Sequence, residues 1–299
     1  YVWEIDEIKL FSTRLNKFSK LILEFKNKNP LFYIIKNNSL FFDLKKSIKK
    51  KPLLKFLKKK DIKNFLNHNN NYNLIINCSN YNIISKKFFF KRIKKNYKSI
   101  AHTTIIKHKK FTNHTASQYF TKVGPIAFLP VSSEYTSVVW SIKSNYEKNG
   151  QLFTNQKILE TIRKLFIKKE KIISFSKIKK FKLALSIPRD YYKNNILIFG
   201  EGSHQIHPLS GQGLNMTIRD IKILREIIKN KINLGLEIDE SILLDFNNKT
   251  KSYNFLFAKG NDFIEKYFSI NNKAFNLFLE KIFNNINKKN FIKNMFIQI

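Results

Sequence analysis

Residues 194–231, NNILIFGEGSHQIHPLSGQGLNMTIRDIKILREIIKNK, narrow the possible folds more than any other stretch. Ile196 to Phe199 is a short apolar run that stops at Gly200, which reads as a buried strand of the parallel type. From Leu214 onward, apolar residues recur at Leu214, Ile218, Ile221, Leu224, Ile227 and Ile228, the spacing of an amphipathic helix. A buried strand that passes through a glycine-rich turn into a helix belongs to a layered α/β arrangement. Four of the chain's eight glycines and two of its six histidines fall between residues 200 and 220. Gly211 and Gly213 let a flat or anionic ligand approach the backbone with no Cβ in the way. The helix start near Leu214 aims free N–H groups and partial positive charge at such a ligand. Glu201, where the strand ends, can accept hydrogen bonds from sugar-like hydroxyls, and Pro208 offers a rigid apolar surface. The implied ligand is part polyol, part aromatic and able to carry negative charge. A strand–turn–helix whose glycines serve only tight packing has the same spacing, so both readings stand at this point.

The rest of the chain sets bounds on these readings. At 299 residues there is ample length for one large or two smaller cores. The net charge of +35 suggests a polyanion partner, but Lys, Asn, Ile and Phe are enriched together and basic residues are spread almost everywhere. That pattern fits codon bias better than a nucleic-acid surface, which would interleave basic and exposed aromatic residues on one face, so no nucleic-acid partner is expected. The single cysteine, Cys78, allows no internal disulfide and fits a reducing compartment. No apolar run is long enough to span a membrane, and no signal peptide is seen. His102, His108 and His114 recur at six-residue spacing, and exposed strand or loop histidines are expected there rather than a metal site. His204 and His207 have no Cys or further His close in sequence, so no metal is expected there either. NLIINCSN (73–80) reads as a buried strand, and Asn38 or Ser39 as the cap of a helix through Ile48. The basic stretch 84–98 reads as a solvated face or loop. Residues 100–186, rich in Thr, Ser, Val, Tyr and Trp with turn signals at Gly124-Pro125 and Ser132-Ser133, read as an antiparallel sheet. Residues 241–299 keep helical spacing.

A reduced flavin, whose N1–C2=O edge becomes anionic, satisfies the ligand description. Residues 200–220 closely resemble the second FAD motif of class A flavoprotein monooxygenases, in the ubiquinone-biosynthesis hydroxylase branch. That motif runs Gly-Asp-Ala-Ala-His, two residues, His-Pro, two residues, Gly-Gln-Gly-Leu-Asn, four residues, Asp. Gly200, Glu201, Gly202, Ser203 and His204 match its first part, with Glu in place of Asp; His207, Pro208, Gly211, Gln212, Gly213, Leu214, Asn215 and Asp220 match the rest. GPIAFLPVSSEYTSVVWS (124–141) resembles the family's strands over the substrate cavity, and NDFIEKYFSINN (261–272) its C-terminal helical region. Three departures stand out. The family's N-terminal Gly-x-Gly-x-x-Gly is absent, as though the chain begins after it. Ser79 and Asn80 occupy the places of an Asp-Gly pair, and Lys36, Asn37 and Asn38 stand where a family arginine lies near FAD.

The resemblance implies an α/β (α+β) fold. Residues 1–95 would form a partial Rossmann-like FAD-binding domain, 96–187 an antiparallel β-sheet substrate domain, and 188–299 the second FAD-binding segment and C-terminal helices. It implies FAD as cofactor, reduced by NAD(P)H or another electron donor, and O2 activated as a flavin C4a-hydroperoxide that hydroxylates a polyprenylated phenol. With the chemistry borne by the flavin, no catalytic side chain is required. Pro208 would lie beside the isoalloxazine, Gly211, Gln212, Gly213 and Leu214 would meet its pyrimidine edge, Glu201 would take the ribityl or pyrophosphate region, and Asn215 would help cap the helix. A membrane-borne substrate implies a cytoplasmic protein peripheral at the inner membrane, with the membrane surface and other quinone-biosynthesis proteins as partners. The alternative is a degenerate, non-catalytic scaffold subunit of a quinone-biosynthesis complex.

Overall fold

The computed structural model describes residues 2–13, 19–55, 72–145, 154–205 and 213–269, with side chains through residue 260. In chain order the elements are β1 (Val2–Ile5), β2 (Glu7–Ser12), β3 (Lys20–Lys26), β4 (Phe32–Ile35), α1 (Asn37–Lys49), β5 (Ile75–Asn77), α2 (Ile83–Phe88), β6 (Arg92–His108), β7 (Thr115–Phe120), β8 (Pro125–Pro130) and β9 (Tyr135–Lys143). There follow α3 (Asn155–Leu165), β10 (Ile172–Phe175), β11 (Lys179–Pro188), β12 (Tyr192–Lys193), β13 (Ile196–Ile198), α4 (Gly213–Asn233) and α5 (Ser241–Ser269). The chain divides into two compact units, one of Tyr1–Leu54, Lys98–Lys182 and Phe268–Ile299, the other of Lys55–Tyr97 and Leu183–Tyr267.

The first unit is built on the sheet β10-β6-β9-β8-β7-β2-β3, antiparallel except that β2 runs parallel to β7, with Glu7 opposite Thr115. Alternation sets its two faces. Ile126 and Phe128 of β8, and Val138, Trp140 and Ile142 of β9, fall at alternate positions and are buried together in one core. α3 covers this inner face. Thr154 caps it by accepting from the Lys157 N–H at 3.3 Å, and Ile158 and Ile162, one turn apart, are buried against the sheet with Phe166. Burying each isoleucine contributes about 1.5–3 kcal/mol. Sequence reading assigned this stretch wholly to strands, although the period of Ile158, Ile162 and Leu165 is helical. α1 opens at Asn37 with Lys36 before it, so Asn38 and Ser39 lie inside the helix and not at its cap.

The second unit contains the strand–turn–helix read from the sequence. β13 pairs parallel to β5 and antiparallel to β12, and Ile196, Leu197 and Ile198 are all fully buried. The basic stretch read as a solvated face or loop is a solvated face: it forms α2 and the start of β6, with Asn82 capping α2 and Ile84 packing inward while Lys86, Lys87, Lys91 and Lys94 stay exposed. α4 does not bury the stripe its hydropathy suggests. Leu214, Ile218 and Ile221 are 48, 42 and 51% exposed, while Met216, Asp220, Leu224 and Ile227 face inward. The helix is turned so that a carboxylate enters the interior. Ile221, Leu224, Ile228 and Ile232 instead line an open apolar cavity of about 450 Å³ with Ile76 and Phe199. α5 buries Ile242, Phe246, Thr250, Asn254 and Ala258 at four-residue steps, and Phe246 packs on Phe199, with ring centroids 5.5 Å apart.

Candidate flavin site

The turn after β13 starts at Gly200, whose φ of +55° lies in the left-handed region that glycine enters without strain. Three donors converge on the Gly200 carbonyl: the Ser203 N–H at 3.0 Å, the His204 N–H at 3.2 Å and the Ser203 hydroxyl at 2.9 Å. The closed turn leaves Glu201 exposed at its tip and buries Gly202. Gly202 sits so close to the end of β5 that an added Cβ would lie 3.1 Å from the Asn77 carbonyl oxygen and 2.9 Å from Ile198 Cγ1. This glycine answers the packing reading. Gly213 is the contrary case, since among the described residues a Cβ there meets nothing within 4 Å. Leu214 and Asn215 are exposed in that turn, and Asn215, its third residue, is past the cap position. Pro208, Gly211, Gln212 and His207 lie outside the described residues.

Several residues that the sequence reading did not single out hold this region. Arg92 donates through Nε to the Ser186 hydroxyl at 2.7 Å and through a terminal nitrogen to the Gly202 carbonyl at 2.8 Å. Burial pulls the pKa of its guanidinium down. Gln205 exchanges backbone hydrogen bonds with Ser186, at 2.9 and 3.1 Å. The side chain of Gln205 accepts from Asn80 Nδ2 at 3.1 Å, so the segment in place of the Asp-Gly pair meets the motif. That segment satisfies itself as well. Asn77 Oδ1 accepts from Asn82 at 2.7 Å and from the Ser79 N–H at 3.3 Å, Asn77 Nδ2 donates to Ser85 at 2.8 Å, and the Ser85 hydroxyl donates to the Ser79 carbonyl.

His204 is buried with Nε2 3.4 Å from Asp220 Oδ2, at the long end of hydrogen-bond distance. Burial alone would raise the Asp220 pKa, but His204 and Arg219 as partners more than offset it and hold the carboxyl below its ordinary value. His102, His108 and His114 are not the exposed set expected. His102 and His108 are 2 and 1% exposed, because both point inward from β6. His108 Nε2 lies 3.0 Å from Thr136 Oγ1, and His114 Nδ1 lies 2.7 Å from the Glu4 carbonyl while its ring stacks on Trp3. Lys36 reaches toward the Tyr135 ring, 6.0 Å from its centroid.

The residues present fit a flavin. An exposed carboxylate ends a buried parallel strand, and a helix of 21 residues follows a short segment later, with room for a Cβ at its first residue among the described residues. The comparisons with known proteins agree. A model of the FAD binding domain family matches residues 75–233. The mitochondrial ubiquinone biosynthesis monooxygenase of Dictyostelium discoideum is 26% identical over 162 residues, 44% of this chain and 32% of that protein. The 3-demethoxyubiquinol 3-hydroxylase of Escherichia coli is 27% identical over 155 residues, 52% of this chain and 40% of that protein. The matched stretches thus span less than half of either relative. Among solved structures, p-nitrophenol 4-monooxygenase from Pseudomonas putida shares the fold with a TM-score of 0.72 at 9% identity, covering 99% of this chain and 81% of that one.

Proposed function

Since the chain belongs to the FAD binding domain family, we propose that it is the flavin-holding part of an FAD-dependent monooxygenase that hydroxylates a polyprenylated phenol in ubiquinone biosynthesis. The observation that carries the reading is the pairing of an exposed Glu201 after β13 with the N-terminus of α4 at Gly213, where a Cβ would meet none of the described residues within 4 Å. Glu201 accepts hydrogen bonds from the ribityl hydroxyls or lies beside the pyrophosphate region. The first-turn N–H groups of α4, at Gly213 and Leu214, meet the pyrimidine edge, where their partial positive charge favours the anionic form of the ring. Pro208, Gly211 and Gln212 complete that contact, and Asn215 orders the turn. When bound, FAD supplies the passage of electrons from NAD(P)H or another donor to O2. The protein's own share is to bind, orient and exclude water. The names of the relatives support the substrate class. A membrane-borne substrate and a net charge of +35 support peripheral attachment to an anionic membrane. No helix among the described residues is long and apolar enough to cross a membrane.

The test has two stages. The purified protein is titrated with FAD, then supplied with NADPH and a prenylated phenol while O2 uptake is followed. FAD retention with phenol-dependent O2 uptake and a hydroxylated product is the expected result, and failure to bind FAD overturns the reading. One observation favours a second reading, a non-catalytic scaffold: Asn77, Ser79, Asn82 and Ser85 pair with one another where the Asp-Gly pair would serve a cofactor. A protein that binds partner enzymes but no flavin would establish it. Attachment to the membrane is refuted if the protein stays in solution with anionic vesicles at physiological salt.

A further inference from the structure

None of the 13 residues of α1 is buried, whereas α3 and α4 each turn part of their apolar stripe inward. The helix is amphipathic all the same. Phe41, Leu44 and Ile48 fall at the three- and four-residue steps of one helix face. Phe41, Phe42 and Leu44 are 58, 65 and 53% exposed, and Leu53, just past the helix, is 95% exposed. An apolar stripe of this kind faces a core in a packed helix; on a surface it marks a contact. The charges around it are nearly all of one sign. Lys45, Lys46, Lys49, Lys50, Lys51 and Lys55 stand between residues 40 and 55 with a single acid, Asp43. The Lys45 ammonium lies 5.7 Å from the centroid of the Phe41 ring, so its stem runs beside the stripe while its head stays in water. Lysines in the last turn suit the helix dipole, but that leaves the aromatic and aliphatic residues beside them without a purpose.

A partner for this face has to offer an apolar layer beneath an anionic one. An anionic phospholipid bilayer does so: its headgroups meet the lysines, and its acyl boundary takes Phe41, Leu44 and Ile48. A nucleic acid would meet the lysines and leave Leu44 and Ile48 in water. At about 1.5 Å per residue the helix is about 20 Å long, less than the about 30 Å of a hydrocarbon core, so it lies along the surface and does not cross it. One residue, Lys36, separates α1 from β4, whose Ile35 pairs with Val2 of β1, so the helix is held at its start by strand pairing.

We propose that α1 is the element by which this protein docks on an anionic phospholipid surface, with Phe41, Leu44 and Ile48 in the headgroup boundary and the lysines among the headgroups. The assignment rests on the peripheral attachment read above and is independent of flavin retention.

The protein is sedimented with vesicles of phosphatidylglycerol and phosphatidylcholine in equal parts at physiological salt, and amide exchange over 37–49 is followed with and without them. Phe41→Ser with Leu44→Ser keeps every charge and should weaken vesicle binding by about tenfold or more. Lys45→Gln, Lys46→Gln and Lys49→Gln together keep the stripe and should weaken binding by about a hundredfold, at roughly fivefold per lysine. Lys179→Gln, Lys180→Gln and Lys182→Gln remove the same charge from exposed positions of β11 and should weaken it by no more than about threefold. All of these side chains are exposed, so the variants should fold, and the α1 lysine triple serves alone if the serine pair does not. Exchange over 37–49 should slow on vesicles in the wild type and stay fast in the serine pair. Wild-type protein that stays in solution overturns peripheral attachment and this assignment with it. Wild-type binding left unchanged by the serine pair, or equal weakening by the two lysine triples, overturns this assignment alone. Protection over 37–49 that rises with protein concentration in the absence of vesicles means that a second copy covers the face, and it overturns the lipid assignment too.

Discussion

Replacing Gly213 by Ala separates ligand approach from packing, because the two predict opposite signs. Gly213 opens α4 and is absent from the glycines with positive φ, and a Cβ placed on it meets none of the described residues within 4 Å. Nothing in the described fold needs a glycine there. Alanine in place of a helix-interior glycine gains about 0.8–1 kcal/mol, and the first turn realises roughly half of that. The apo protein should therefore melt about 1–2 °C higher. If the flavin edge approaches the first-turn N–H groups, the new methyl group stands in its path. Loss of one hydrogen bond to a charged group costs about 1.5–3 kcal/mol, which is roughly tenfold to a hundredfold in dissociation constant. Thermal unfolding of apo protein and fluorescence titration with FAD read the two effects separately. A higher melting temperature with weaker FAD binding is the expected pair. A higher melting temperature with unchanged binding would refute the idea that the start of α4 receives the ligand, and a lower one would refute the room for a Cβ at Gly213.

Gly202→Ala should do the reverse in stability, costing about 1–3 kcal/mol in a urea titration, because its Cβ would press on the Asn77 and Cys78 backbone and on Ile198; an unmoved midpoint counts against that packing. His108 has its pKa lowered first by burial, so the unfolded chain takes up a proton there before the folded protein does. Its contribution to stability is complete above about pH 6.5 and is lost as pH falls through the folded value, so His108→Gln should flatten the melting temperature against pH in that window. Tyr119 and Tyr191 are each pushed up to about 12 by burial, so their hydroxyls stay protonated in the fold while unfolded tyrosines ionise near pH 10. Stability should fall as pH rises between those values, and an absorbance titration of tyrosinate should lose its late component in the Tyr119→Phe, Tyr191→Phe double variant.

The strand–turn–helix was legible because its signals are local. A fully apolar Ile196–Ile198, a glycine able to take positive φ and a helical period follow one another within a few residues. The short run around Ile75–Asn77 was legible as a strand for the same reason, but not as a buried one, since Ile76 is 46% exposed. The pairing of β2 with β7 was not, since Glu7 meets Thr115 across more than a hundred residues and nothing in EIKLFS names its partner. α3 was missed for a different reason. Its period is readable, but the Thr- and Val-rich texture around it was extended across it. The rotation of α4 shows what hydropathy leaves out. Sorting by apolarity places Leu214, Ile218 and Ile221 inside, yet the interior takes Asp220, whose partner Asn254 lies 34 residues away. A buried acid becomes predictable only when its donors are known to converge. The six-residue spacing of His102, His108 and His114 said as little about burial, because an even step along a strand returns to the same face without saying which face is inside.

The charge balance explains why these few acids carry so much of the fold. With 56 Lys and Arg against 21 Asp and Glu, most cations cannot find a carboxylate. They turn to other acceptors: Arg92 to the carbonyls of Gly202 and Ser186, Lys171 to the Phe111 ring at 5.2 Å, Arg163 to Phe175 at 5.5 Å. Among the described residues only Glu7 and Asp220 are buried acids, and each sits at a junction. Glu7 draws in Lys9 at 3.0 Å, Lys26 at 3.8 Å and the Thr115 hydroxyl at 2.6 Å, joining β2 to β3 and β7. Asp220 joins α4, α5 and the turn after β13 in the same way. Neutralising Asp220 leaves Arg219 to the Asn254 amide oxygen and the Tyr253 ring, and neutralising Glu7 leaves Lys9 to the more exposed Glu24 at 3.4 Å. The loss on protonation should then exceed that of an ordinary surface ion pair, which is about 0–1 kcal/mol. Both groups have folded pKa values below the ordinary carboxylate range. Their contribution is therefore present above about pH 4 and disappears as pH falls through the folded values. If the two junctions act as described, Glu7→Gln and Asp220→Asn should each lower stability at neutral pH by more than a surface pair is worth, and the difference from wild type should vanish in acid. A difference that persists below both folded pKa values would mean that shape, and not charge, is what these positions supply.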